Sequence, residues 1–122
     1  MEILAARVLL RPADMLRSVA FYRDVLGLAI AREFPGGTVF FLGGGFLELS
    51  GSSGGSTGDQ VALWLQVRDL AAAHRELAAH VVREPRREPW GLIELWITDA
   101  EGTRIVLVEV PPEHPLRRDT RP

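Results

Sequence analysis

The sequence contains no cysteine and no lysine. Without cysteine, the chain can have no disulfide, no thiolate nucleophile and no Cys-ligated zinc or iron–sulfur site. Without lysine, it can form neither a lysine Schiff base nor the lysine contact of a phosphate-binding P-loop. All 14 basic residues are therefore arginines, whose side chains stay cationic. These two absences remove several classes of enzyme before any motif is considered.

Long apolar runs and a strong excess of one charge are also missing. The net charge of −2 gives no reason to expect nucleic acid or a membrane surface as a partner. Apolar runs such as residues 105–108 have the length of a strand and are far too short to span a membrane. No export signal opens the chain, so we expect a cytoplasmic protein. Its 122 residues, 47% of them hydrophobic, predict a single globular domain over residues 1–122.

One pattern occurs twice along the chain. The motif L-R-P-A-D at residues 10–14 precedes a helical segment, and L-Q-V-R-D at residues 65–69 precedes another, 55 residues later. Alternating apolar segments follow each helix, so each half is predicted to be β-α-β-β-β. A repeat of this length indicates two similar modules. We expect an α+β fold with module 1 at about 1–50, a Gly/Ser-rich linker at 51–59, module 2 at about 60–110 and an irregular tail at 111–122.

Local signals predict the individual elements. Asp14 and Asp69 are expected to cap the two helices, predicted at residues 15–26 and 70–79, and Gly27 is expected to end the first. Ser18 is expected on the exposed side of the first helix. Strands are predicted at residues 3–10, 29–34, 38–42, 46–50, 61–67, 81–84, 92–98 and 103–110. The linker could be a simple tether or a flap over a site.

The sequence resembles the vicinal oxygen chelate superfamily. Asp14, Ser18, Phe21-Tyr22 and Leu26-Gly27-Leu28 match the pattern D-x-x-x-S-x-x-F-Y-x-x-x-L-G-L. Pro89-Trp90-Gly91 and Asp99-x-x-Gly102 match the second half, although alanine follows Asp99 where proline is common. The superfamily includes glyoxalase I, extradiol dioxygenases, fosfomycin-resistance enzymes and the metal-free bleomycin-resistance proteins. The resemblance implies two βαβββ modules whose mixed sheets curl into a cup with the helices outside.

In the enzymes of this superfamily, four side chains on the first, fourth, fifth and eighth strands hold a divalent metal. Aligning the two halves places Arg7, Glu48, Ala62 and Val106 at these positions. Only Glu48 could bind a metal, because alanine and valine have no lone pair and arginine repels a cation. One carboxylate does not hold a hard divalent cation against water. We therefore expect no metal and no cofactor, and an Arg7–Glu48 ion pair at the former metal position.

Strand alternation gives each sheet one aliphatic face and one polar and aromatic face. The second face is typical of a cavity for a flat organic ligand, and Glu94 also lies on it. The same tryptophans could equally fill the cup or a dimer interface. The predicted ligand-binding residues are Arg7, Leu9, Phe46, Glu48, Trp64, Gln66, Trp96 and Arg104, with Trp90 near the rim.

The resemblance leaves three functions open. The first is a metal-free binding protein that holds an aromatic or amphipathic compound, as a homodimer like those of the bleomycin-resistance branch. The second is a glyoxalase-like lyase, isomerase or dioxygenase that uses Glu48 or a non-standard metal site. In that case Glu48 or Glu94 would be the general acid or base, and Arg7 or Arg104 the electrophile. The third is a structural or regulatory module. The altered metal positions favour binding, and the sequence does not identify the ligand.

Overall fold

The described residues form two modules with the same order of strands and helices. The computed structural model describes residues 1–52 and 61–115. These residues fall into two compact units, which we call module 1 (1–52) and module 2 (61–115). Each has a four-stranded mixed sheet and a helical segment, so the predicted α+β fold with two βαβββ modules is confirmed. Most of the predicted linker, from residue 53, and the tail beyond residue 115 lie outside the described residues.

The two sheets have the same topology. In module 1 the order is β1-β4-β3-β2, with β1 parallel to β4 and the other pairs antiparallel. In module 2 the order is β5-β8-β7-β6, again with only the first pair parallel. The elements of module 1 are β1 (Val8–Leu10), α1 (Met15–Ala20), β2 (Ile30–Phe34), β3 (Gly37–Leu42) and β4 (Gly45–Ser50). Those of module 2 are β5 (Ala62–Gln66), α2 (Leu70–Glu76), a 3-10 turn (Ala78–His80), β6 (Val81–Arg87), β7 (Ile93–Thr98) and β8 (Arg104–Glu109).

The strand register confirms the alignment of the two halves that was predicted from the sequence repeat. Leu9 of β1 lies opposite Glu48 of β4, and Trp64 of β5 lies opposite Val106 of β8. Leu9 and Trp64 are 55 residues apart, as the repeat requires, and Glu48 and Val106 are 58 apart. Glu48 and Val106 are therefore structurally equivalent.

The predicted helix caps are present. Asp14 accepts a hydrogen bond from the backbone N–H of Arg17 at 3.1 Å, and Asp69 accepts one from Ala72 at 3.0 Å. After α1 the chain continues as a π-helical turn over Phe21–Val25, in which the N–H of Leu26 donates to the carbonyl of Phe21. Gly27 follows with φ of 70°, the left-handed conformation that commonly ends a helix.

Three local predictions were wrong. Sheet pairing of the first strand begins at Val8, opposite Leu47, and not at residue 3. Ser18 is only 3% exposed, because α1 packs on β4 and Ser18 lies on the packed side. Strand β6 continues to Arg87 instead of ending at residue 84. Its pairing with β7 shifts register twice, between Val81 and Arg83 and between Arg83 and Arg86.

The aliphatic face of each sheet forms the core beneath the helical segment. In module 1 the ring of Tyr22 packs 6.2 Å from that of Phe40, between ring centroids. In module 2 the Glu109 carboxylate accepts a hydrogen bond from the first N–H of α2, at Leu70, which attaches the helix to this face. Buried side chains on these faces include Phe40, Leu47, Leu49, Leu63, Leu95, Ile97, Ile105 and Leu107. No helix of the described ranges is long and apolar enough to cross a membrane.

Candidate functional site

The polar face of module 1 carries an ion pair between Arg7, just before β1, and Glu48 of β4. Nη1 of Arg7 lies 2.8 Å from Oε1 of Glu48, and the Ser50 hydroxyl donates to Oε2 of Glu48 at 2.8 Å. The two charged side chains are 45% and 18% exposed, respectively. The hydrogen bonds from Ser50 and from Arg7 lower the pKa of Glu48, although burial opposes them. The predicted Arg7–Glu48 pair is confirmed, and both carboxylate oxygens have donors.

Aromatic and apolar side chains adjoin this pair. The guanidinium of Arg7 lies 5.8 Å from the ring centroid of Phe46, and Phe41 lies 5.7 Å from Phe46 between ring centroids. Leu9, opposite Glu48 in the register, is exposed, as is Phe41. Module 1 thus brings together all four of its predicted ligand-binding residues on one face of the sheet.

In module 2, one buried carboxylate holds two tryptophans. The indole N–H of Trp90 donates to Oε2 of Glu94 at 3.0 Å, and that of Trp96 donates to Oε1 at 3.1 Å. Glu94 is 6% exposed. Each indole has a single N–H donor, and both donors bind Glu94, so one carboxylate of β7 is the shared acceptor of the two rings. Sequence reasoning had placed Glu94 on this face, but only as a possible acid or base.

Two arginines lie against the ring of Trp96. The guanidinium carbon is 4.0 Å from the ring centroid for Arg83 and 4.5 Å for Arg104. Arg83 belongs to β6 and Arg104 to β8, the two strands on either side of β7. Cations so placed are attracted by the electron-rich faces of the ring. Trp96 therefore contacts two cations. Trp64 and Trp90, by contrast, are 49% and 58% exposed to solvent.

A second buried carboxylate, Glu88, was missed by the sequence analysis. It accepts hydrogen bonds from Arg83 and, at 3.3 Å, from Nε of Arg86. Burial acts to raise the pKa of Glu88, but the hydrogen bonds and charges of the two arginines outweigh it, so the pKa is lowered. Residues 83–88 show no regular alternation of apolar and polar residues, so the sequence analysis did not identify this cluster.

The remaining predicted residue, Gln66, is less closely tied to these clusters. Gln66 is exposed on β5, at the far end of the strand from Ala62. His74 lies 2.7 Å from Glu84, and Nε2 of His114 lies 3.0 Å from the carbonyl oxygen of Trp90. The start of the tail therefore contacts the turn that carries Trp90.

Paired βαβββ modules with a polar sheet face define the fold class of this protein. A family model described as the Glyoxalase/Bleomycin resistance protein/Dioxygenase superfamily matches residues 5–107, so the chain belongs to this superfamily. No curated protein matches the sequence.

Several solved structures share the fold. A lactoylglutathione lyase from Agrobacterium tumefaciens is 23% identical, with a TM-score of 0.70 over 89% of this chain and 96% of that chain. The bleomycin resistance determinant encoded on transposon Tn5 is 22% identical, with a TM-score of 0.71 over 86% and 96%. A glyoxalase/bleomycin resistance protein/dioxygenase from Nocardioides is 18% identical, with a TM-score of 0.77 over 94% and 89%. At these identities the likeness shows the fold alone.

The residues aligned with the metal ligands of the superfamily's enzymes do not fit a divalent metal. In module 1, Arg7 places a permanent cation on Glu48. In module 2, Ala62 has no donor atom, and Val106 packs in an apolar cluster with Leu92, Val108 and Val110. Within residues 1–52 and 61–115, no group of three or more histidine, aspartate or glutamate side chains could hold a metal.

Proposed function

We propose that this protein binds an aromatic or amphipathic small molecule without a metal, a cofactor or a chemical step. The observation that carries the proposal is the cluster of Arg7, Glu48 and Ser50. Glu48 lies at a position where the resemblance implies a metal ligand. Its charge is paired with that of Arg7, and its two carboxylate oxygens accept hydrogen bonds from Arg7 and Ser50. A cation at that position would have to displace the guanidinium.

The exposed aromatic side chains support an aromatic or amphipathic ligand. Trp64 and Trp90 in module 2 and Phe41 in module 1 are each about half exposed. Each stacking contact with a flat ligand would contribute about 0.5–1.5 kcal/mol beyond burial. The ligand-binding residues we propose are those predicted from the sequence, namely Arg7, Leu9, Phe46, Glu48, Trp64, Gln66, Trp90, Trp96 and Arg104.

A lyase, isomerase or dioxygenase that uses Glu48 or Glu94 has less support. The pKa of Glu48 is lowered, so this group has no proton to donate near neutral pH and is a weaker base than an ordinary carboxylate. Both oxygens of Glu94 accept indole N–H groups, which leaves this buried side chain little freedom to reach a substrate.

The proposal extends to the organisation and setting of the protein. We propose one domain over residues 1–122 that acts as a cytoplasmic homodimer, with no nucleic acid or membrane partner. The resemblance to the bleomycin-resistance branch supports the dimer. The net charge of −2 is consistent with a protein that binds neither nucleic acid nor a membrane surface. Sedimentation equilibrium of the full chain tests the dimer, which a monomer at all accessible concentrations would contradict.

The deciding experiment is a measurement of metal content and metal-induced stabilisation. We expect the purified protein to contain no stoichiometric metal, and its melting temperature to be unchanged by nickel, zinc, manganese or iron. Stoichiometric metal together with a raised melting temperature would overturn the metal-free proposal and favour an enzyme. Calorimetric titration with 1-naphthamide, a neutral aromatic compound, then tests ligand binding. Saturable binding is the expected result.

A further inference from the structure

We infer that the ligand of module 2 is an aromatic anion, with Arg104 binding its carboxylate and Trp64 stacking on its ring. The inference rests on the proposed function and names the class of compound. It is carried by the position of Arg104 between two tryptophans and by the hydrogen-bonding capacity that its contacts leave unused.

Strand register places these residues on one face. Val106 of β8 lies opposite Trp64 on one side and opposite Trp96 on the other. Residues directly opposite each other on neighbouring strands share a face, and so do residues two apart on one strand. Arg104, two residues before Val106, therefore emerges on the face that carries both tryptophans. It is a diagonal neighbour of each, within reach of a long side chain.

The contact between Arg104 and Trp96 is a cation–π contact and not a hydrogen bond. Arg104 lies 4.5 Å from the centroid of the Trp96 ring, and Glu94 holds that ring by its indole N–H. A guanidinium group has five N–H donors, and a cation–π contact uses none of them in a hydrogen bond, so they remain able to bind a ligand. The cation is thus positioned before any ligand arrives, which reduces the entropy lost on binding.

Among the described residues, Arg104 differs from the other arginines of the candidate site in having no acidic partner. Arg7 is paired with Glu48, and Arg83 with the buried Glu88. Over the two described ranges, Arg104 has no carboxylate within ion-pairing distance. A planar carboxylate would match its parallel N–H donors in a bidentate pair.

The surroundings of Arg104 leave room for such a compound. Its partner on β5 is Ala62, which is exposed and has the smallest side chain that still carries a Cβ. Trp64 is the next residue on the same face of β5, and half of its surface is exposed. A flat ring over Trp64 with its carboxylate toward Arg104 would use both groups at once.

The test compares three naphthalene compounds of similar shape, using calorimetric titration of the full chain. We expect 1-naphthoate to bind roughly tenfold more tightly than neutral 1-naphthamide, because a hydrogen bond to a charged group adds about that factor. The cationic 1-naphthylmethylammonium should bind more weakly than the amide. Arg104→Gln should remove this preference, so that the variant binds naphthoate and naphthamide with affinities within about twofold of each other. Arg75→Gln, which removes the same charge from an exposed position on α2, is the matched control and should change neither affinity.

The outcomes separate this inference from the proposed function. Equal binding of naphthoate and naphthamide by the wild-type protein would overturn the inference but not the proposed function, and this comparison needs no variant to fold. A naphthoate preference that persists in Arg104→Gln would likewise overturn the role of Arg104. Failure of all three compounds to bind would count against both proposals.

Discussion

Glu48 and Val106 are equivalent residues of the two modules, yet their surroundings are opposite in character. Each lies on the strand that comes last in its module in chain order, opposite Leu9 or Trp64 respectively. Glu48 has Arg7 and Ser50 as polar partners, whereas Val106 packs in an apolar cluster against which Trp96 also rests. The modules share a backbone plan but differ in the chemistry of their polar faces, and this difference underlies the predictions below.

Replacing Arg7 with alanine should lower the melting temperature by a small amount, about 1–4 °C. Glu48 would lose its cationic partner while remaining largely buried, but the exposure of Arg7 weakens the interaction through solvent screening. Differential scanning calorimetry measures the change, which should shrink in high salt. Arg17→Ala is the control, because Arg17 is exposed and its recorded bond to Asp14 uses the backbone N–H. An unchanged melting temperature in Arg7→Ala would contradict a stabilising ion pair.

Replacing Glu94 with leucine should destabilise the protein by about 1–3 kcal/mol. The substitution leaves the indole N–H groups of Trp90 and Trp96 without their acceptor in a partly buried setting. Urea unfolding measures the loss, and a change in tryptophan emission should accompany it. Glu94→Gln keeps one acceptor oxygen and should lose less stability. If the leucine variant were as stable as the wild type, the carboxylate could not be what holds the two indoles.

Acidification should destabilise the protein partly through Glu88. The pKa of Glu88 in the folded protein lies below its ordinary value of 4.5, because its arginine partners outweigh burial. The unfolded chain therefore takes up this proton first as the pH falls. The contribution of Glu88 to stability is complete above pH 4.5 and is lost as the pH falls through the folded-state value.

Urea unfolding between pH 7 and pH 3 checks this pH dependence. Glu88→Gln should be less stable than the wild type at pH 7, and the gap should narrow toward pH 3. Glu76→Gln, at an exposed position on α2, should follow the wild-type curve. Parallel curves for the wild type and Glu88→Gln would show that this carboxylate does not titrate with folding.

Replacing Gly27 with alanine should destabilise module 1 by about 1 kcal/mol. Gly27 has a positive φ of 70°, and an added Cβ would meet no atom within 4 Å, so the cost comes from the backbone conformation alone. Gly44→Ala is a matched control, since its Cβ also meets nothing and its φ is not in the left-handed region. Chemical denaturation of both variants measures the difference. Equal stability would mean that the glycine of the L-G-L motif is not required by the helix end.

Several features could be predicted because they depend on residues close together in the chain. The caps at Asp14 and Asp69 need only the N–H groups three residues further on. Side-chain alternation along a strand is a local property, so the polar faces that carry Glu48 and Trp96 were correctly assigned. The alignment of the two halves then predicted the contact between Arg7 and Glu48 across 41 residues.

Other features depended on packing and strand pairing that no local pattern encodes. Ser18 is buried because of how α1 lies on β4, and Arg83 of β6 meets Glu88, which lies just beyond the end of that strand. The sequence by itself determined the two-module plan, the helix N-caps and the residue types on each strand face, since these follow from repeats and near neighbours. Only the tertiary structure decided that Glu94 holds two indoles and that Arg104 rests on one of them. Those contacts join side chains whose separation depends on the register of paired strands and on the side-chain conformations that packing allows.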